Sequence, residues 1–209
     1  MRQSMSRIVE IFRPAIRKRN VGGKNMQSKH LRALIEGAIM VSMAQILSYL
    51  KIYELVFGGS VTLAMIPIFL YCARWGFGKG MLASFVFGIL QFVFDGQFAY
   101  TWQAIILDYI LAFSLLGTAG IFSKRKYGIF YGTVAGSVMR FAAHLLSGVY
   151  VWGEYMPDEF LGITMNSPWI YSALYNSVYV GANMIICFAV FAVMFKPMNR
   201  YIRGEDLQK

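Results

Sequence analysis

From residue 31 to residue 195 the chain alternates long apolar runs with short polar connections. Runs of roughly 20 apolar residues predict helices that cross a membrane. They are continuous, without the in–out alternation of a membrane-spanning strand. Spans are predicted over 31–50, 61–75, 79–95, 101–122, 127–150 and 168–195, the second being short. Pro168, following Asn166 and Ser167, suits the first turn of the last helix. The expected fold class is an all-α integral membrane protein of six transmembrane helices with both termini cytoplasmic. Around the helical domain at 31–196, a basic cytoplasmic extension is expected over 1–30 and a cytoplasmic tail over 197–209. The extension contains "RIVEIFRPAIRKR", weakly amphipathic but broken by Pro14. Disorder and contact with anionic lipid both suit it.

Composition agrees with the pattern: 57% hydrophobic and 14% charged, with mean hydropathy +0.52. The net charge of +10 changes the picture only through its placement. Nine Lys/Arg lie in residues 1–32, and others at Arg74/Lys79, Lys124–Lys126 and Lys196/Arg200/Arg203/Lys209. Acids fall in the intervening connections, at Glu54, Asp95 and Glu154/Asp158/Glu159. Basic connections on alternate sides set membrane topology, so no nucleic-acid partner is assigned. Cys72 and Cys187 sit in apolar runs with no metal-ligand spacing and read as buried thiols. Residues 1–32 lack the apolar core of a signal peptide, so the first run is kept as a span.

Topology assigns depth. Asp108, His144 and the Tyr171/Asn176 pair fall at a similar level in the outer half of three spans, with Trp152 at the mouth. A carboxylate within a span is costly unless paired or facing water or ligand. Asp108 therefore reads as a receptor for a cation or amine, with an internal ion pair to Arg140 or His144 as the alternative. His144 and Trp152 lie about 80° apart around a helix and can border one pocket. Gly148 between them lets a planar ligand approach the backbone. Trp152 reads equally as an interfacial anchor, and His144 as a structural histidine. Tyr171 and Asn176 lie about 140° apart, so Tyr171 must reach in from the helix end. Arg140, a turn deeper, reads as an internal charge partner. Gly128, Gly132 and Gly136 read as close packing. Arg32 and Glu36 are spaced for a local ion pair. Ala33/Gly37 and Ala38/Ser42 read as internal packing or as a dock for another membrane subunit. No P-loop, HExxH or Ser/His/Asp set occurs; Asp108 with His144 is the sole acid/base candidate, and no catalytic residue is assigned.

The stretch "VTLAMIPIFLYCARWGFGKGMLASFVFGILQFVF", together with "LDYILAF", "RFAAHLLSGVYVWGEY" and "YSALYN", resembles the thiamin-specific S-components of energy-coupling factor transporters over about residues 31–200. The resemblance implies a prokaryotic multi-pass cell-membrane protein that captures thiamin from outside and is not itself an enzyme. It implies no cofactor, and ATP used only by partner subunits: two ABC-type ATPases, joined through a transmembrane T-component. Substrate positions carry over to Asp108, Tyr109, His144, Gly148, Trp152, Tyr171 and Asn176, and to Tyr100 just before the fourth span. The T-component contact falls on Ala38 and Ser42, with Ile46 where a further small residue is expected. The family's tryptophan in the first outer loop has no counterpart in "KIYELVFGGS"; Tyr53 and Phe57 are the substitutes available. Two rival readings remain: an S-component for a different vitamin, and an intramembrane enzyme using Asp108 and His144.

Overall fold

The computed structural model describes residues 27–207. Most of the basic extension and the side chain of Phe57 therefore lie outside the described residues. Contacts divide the chain into two units, Met1–Glu36 and Gly37–Lys209. In the first, Arg32 Nε donates to Glu36 Oε1 at 2.9 Å, the local pair that the spacing predicts.

Helix α1 spans Gln27–Ser48. A small hairpin follows, β1 (Tyr53–Glu54) against β2 (Ser60–Val61). Then come α2 (Met65–Trp75), α3 (Phe77–Asp95), α4 (Trp102–Phe122) and α5 (Gly128–Tyr150). A second hairpin, β3 (Glu159–Phe160) and β4 (Ile163–Thr164), leads to α6 (Pro168–Ile202). Among the described residues five helices are long and apolar enough to cross a membrane; α2 is shorter. Its eleven residues reach about 16 Å, half of a hydrocarbon core.

The second span was expected to start at residue 61, but its helix begins only at Met65. Residues 61–64 are non-helical and largely buried. Backbone of that kind survives among helices only where its polar groups find partners. Asn183 of α6 holds the start of this segment, where its Oδ1 accepts from Thr62 N at 2.8 Å and its Nδ2 donates to the neighbouring Ser60 O at 2.9 Å. Val61 O accepts from Ile52 N, and Ala64 N donates to Thr62 Oγ1. The last helix runs seven residues past the predicted 195, through Pro197. The side chain of Arg74, at the end of α2, holds that extension. It donates to Tyr201 O at 2.7 Å and to both Asp206 carboxylate oxygens at 2.7 and 2.8 Å, and stacks 3.9 Å from the Tyr201 ring centre.

Phe69, Phe87, Leu116 and Phe191 form the centre of the core. Small residues let the helices close around it. A Cβ at Gly132 would lie 2.6 Å from Ala119 O, and one at Gly136 the same distance from the Phe69 ring. Both therefore serve the packing that their spacing predicts.

α4 is not a uniform helix. It opens with a turn capped by Thr101, widens to a π-helix over Ile105–Leu111, then tightens to 3-10 geometry over Leu115–Phe122. The tight part lies against α3, where a Cβ at Gly117 would stand 2.5 Å from Met81 Cα. The wide part carries Asp108 and Tyr109.

Candidate ligand-binding site

A cavity of about 120 Å³ opens where the 49–64 connection, the end of α3, the wide turn of α4, the last turns of α5 and the first turns of α6 meet. Asp108 organises its wall. His144 Nδ1 lies 3.0 Å from its Oδ1, while Ser147 Oγ and Trp152 Nε1 donate to its Oδ2 at 2.7 and 3.0 Å. His144, Ser147 and Trp152 all come from α5 or the turn after it, so one carboxylate fastens α4 to the end of α5. The π turn matters here because its extra residue per turn re-aims side chains relative to an ordinary helix.

The protonation pattern follows from the partners. Arg140 Nε donates to His144 Nε2 at 3.2 Å, and a guanidinium only donates. His144 Nε2 is therefore the bare nitrogen, and Nδ1 carries the hydrogen given to Asp108. The series Arg140–His144–Asp108 places a positive and a negative charge at the two ends of a neutral imidazole. Arg140 also lies against Met65 Sδ at 3.1 Å and over the Phe113 ring at 4.4 Å. Buried charges need such partners to be tolerated.

Aromatic faces complete the wall. Tyr171, Tyr175 and Tyr179 stack along one side of α6, with ring centres 5.7 and 5.8 Å apart. Tyr179 OH donates to Asn176 Oδ1 at 2.7 Å, and Asn176 Nδ2 donates to Ser172 O at 2.8 Å. The Phe160 ring of β3 meets Tyr171 edge-on at 5.5 Å. At the rim, Lys51 Nζ bridges Glu54 Oε1 at 2.8 Å and Asp95 Oδ1 at 3.3 Å. Partial burial works against its charge, but the two carboxylates outweigh that and hold its pKa above the ordinary lysine value.

Asp108, Tyr109, His144, Gly148, Trp152, Tyr171 and Asn176 all line this one cavity. Tyr171 does so from the first turn of α6, as the 140° separation from Asn176 required. Tyr100 stands outside the lining: it is 74% exposed, and its ring meets Trp152 edge-on at 6.2 Å. Tyr109 OH donates to Asp95 O at 3.2 Å, tying α4 to the end of α3. Ala38 and Ser42 are exposed on α1 and take no part in the cavity.

Two expectations change. Arg140 is not a turn below the pocket; it lines it and contacts His144 directly, because its long side chain runs one turn up α5. Gly148 does line the cavity, but its bareness also serves packing: a Cβ there would sit 2.1 Å from Ser172 Oγ. Ser147, Tyr175, Tyr179 and Lys51 were not singled out from the sequence. The four-residue spacing of Tyr171, Tyr175 and Tyr179 was the available signal for the tyrosines, and the three-residue step from His144 for Ser147.

Comparison with known proteins follows the same line. The family described as thiamine transporter protein (Thia_YuaJ) matches residues 34–203. The chain is 35% identical over 194 residues to the thiamine transporter ThiT of Bacillus subtilis (strain 168), covering 86% of this chain and 98% of that one. It is 27% identical over 197 residues to the thiamine transporter ThiT of Lacticaseibacillus paracasei, covering 86% and 94%. A solved structure of ThiT from Listeria monocytogenes superposes with TM-score 0.74 at 24% identity, covering 83% of this chain and 98% of that chain, a likeness of fold.

Proposed function

This chain belongs to the thiamine transporter protein family, a family of membrane transport proteins rather than enzymes, and on that premise we propose that its cavity is the thiamin site of an S-component. One observation carries this reading: the Asp108 carboxylate fixed in the cavity wall by His144, Ser147 and Trp152, facing a bank of tyrosines. Thiamin is a flat aminopyrimidine joined to a cationic thiazolium with a hydroxyethyl tail. Aromatic faces suit both rings and the cation. The charged groups that line the cavity are Lys51 and Arg140 against Glu54, Asp95 and Asp108, so with His144 neutral one positive charge in the ligand balances the set.

The cavity faces outward in this reading. Arg74, Lys79, Lys124, Arg125, Lys126 and Lys196 lie at the helix ends remote from it, and Glu54, Asp95, Glu154 and Glu159 at the near end. The positive-inside rule then puts the cavity outside and both termini in the cytoplasm. A T-component, docking on the exposed α1 face at Ala38 and Ser42, would join the chain to two ABC-type ATPases that drive uptake.

Isothermal titration of purified protein tests the ligand: thiamin should bind saturably and be released unchanged. Riboflavin or biotin binding in its place would sink the reading, and turnover of the ligand would favour an enzyme. A second titration isolates Trp152. Trp152→Phe keeps an aromatic face but loses the indole donor, so affinity should fall about tenfold. Trp152→Ala loses both and should fall further. Wild-type affinity in Trp152→Ala would leave Trp152 as a membrane anchor alone.

A further inference from the structure

The cavity is roofed on one side by the 49–64 connection, from which Lys51, Glu54, Gly58, Gly59, Ser60 and Thr62 line it. Its hairpin pairs only two residues per strand. A ribbon so short does not hold itself together in water, so its position depends on what the rest of the protein attaches to it.

The attachments differ in depth. At Ser60 and Thr62 the Asn183 amide binds backbone on both sides, at a site that is itself buried. Nearer the tip is Tyr175, whose OH accepts from Gly59 N at 2.9 Å and donates to Val56 O. These two bonds use both capacities of one phenol on one turn of loop. Gly59 is shaped for this: a Cβ there would lie 2.8 Å from the Tyr175 oxygen and 2.9 Å from the Tyr179 ring. The Tyr175 ring meanwhile lines the cavity between Tyr171 and Tyr179. Tyr175 thus touches ligand space with its ring and the roof with its hydroxyl.

We propose that Tyr175 is the latch of the roof: its hydroxyl holds the Val56–Gly59 turn shut over the cavity, and ligand enters and leaves when those two hydrogen bonds break. Asn183 is the fixed anchor about which the turn swings. The turn is thus the moving part, Tyr175 the positioning residue that sets how often it opens, and the ring wall stays in place. This rests on the cavity being the thiamin site.

Tyr175→Phe removes one oxygen and leaves the ring. Stopped-flow binding of thiamin should show both the association and the dissociation rate constants raised about tenfold or more, the effect of losing the two hydrogen bonds that close the gate. A rise in dissociation alone, with association at the wild-type rate, would make the hydroxyl a ligand contact and overturn the latch. So would unchanged rates with a lowered melting temperature. Hydrogen exchange of the unliganded protein gives a reading that needs no ligand. Protection of the Gly59 amide should fall about tenfold in Tyr175→Phe while that of Thr62, held by Asn183, persists. Equal protection of Gly59 in the two proteins overturns the proposal. Wild-type protein that fails to bind thiamin would overturn the ligand assignment instead, and the exchange comparison would still decide the latch.

Discussion

Asp108→Asn is expected to weaken thiamin binding by at least about a hundredfold while the helical content stays at the wild-type level. The carboxylate accepts from His144, Ser147 and Trp152 together. An amide of the same size offers one acceptor oxygen and turns two N–H groups toward groups that themselves donate. Ser147 can rotate its hydroxyl away; the His144 and Trp152 donors are fixed by their rings. Arg140 would also lose the negative end of the series that compensates its charge. Breaking one member of a buried charged network costs about 3–5 kcal/mol, and that cost falls on the wall that must fit the ligand. Asp108→Glu keeps the charge and should recover most of the loss. Titration calorimetry on the two variants decides: an asparagine variant within threefold of wild type would remove Asp108 from the site.

The second large effect is steric. Gly148→Ala places a methyl 2.1 Å from Ser172 Oγ and 2.8 Å from Ser172 Cβ, so α5 and α6 must part or Ser172 must turn. Turning is opposed, because Ser172 Oγ donates to Leu145 O at 3.0 Å and accepts from Asn176 Nδ2 at 3.2 Å. Overpacking of this kind costs about 1–3 kcal/mol. Its reach into function is direct, since Asn176 and Tyr171 ride on the displaced helix. Affinity should drop about tenfold or more, with a lower melting temperature in detergent. The double variant Gly148→Ala/Ser172→Gly removes the colliding atoms and should regain most of the melting temperature. If the single variant melts and binds as wild type does, the contact is not a constraint.

Hydropathy alone located the long helices, because a bilayer demands about 20 apolar residues whatever their order. It failed where another force decides. Residues 61–64 are as apolar as a span, yet Asn183 holds their start in a non-helical form, and sequence spacing says nothing about a partner 121 residues away. The end of α6 was set too early because Lys196, Arg200 and Arg203 read as a polar tail; the Arg74 contact with Tyr201 and Asp206 keeps the helix wound. At the site, depth arithmetic on α4, α5 and α6 was enough to gather Asp108, His144, Trp152, Tyr171 and Asn176. It could not give direction. The π turn in α4 has no composition signal, Arg140 reaches a full turn beyond its own backbone, and the roof latch joins a phenol to main-chain atoms that carry no side-chain identity. Family resemblance supplied Tyr109, and the place between His144 and Trp152 supplied Gly148; both gain a mechanical meaning only once α3 and α6 are seen beside them.

The wide turn at Ile105–Leu111 also bears on how such a protein changes over generations. A π turn is an ordinary helix with one residue to spare. Deleting a codon within it would let the turn close to ordinary helical geometry, so the segments on either side keep their phase and only the residues of the wide turn shift position. Asp108 would swing off His144, and a neighbour would take its place in the wall. A single in-frame deletion or insertion there can exchange the key acceptor of the cavity without touching the fold, an evolutionary step that substitutions at the contact residues reach only through several intermediates.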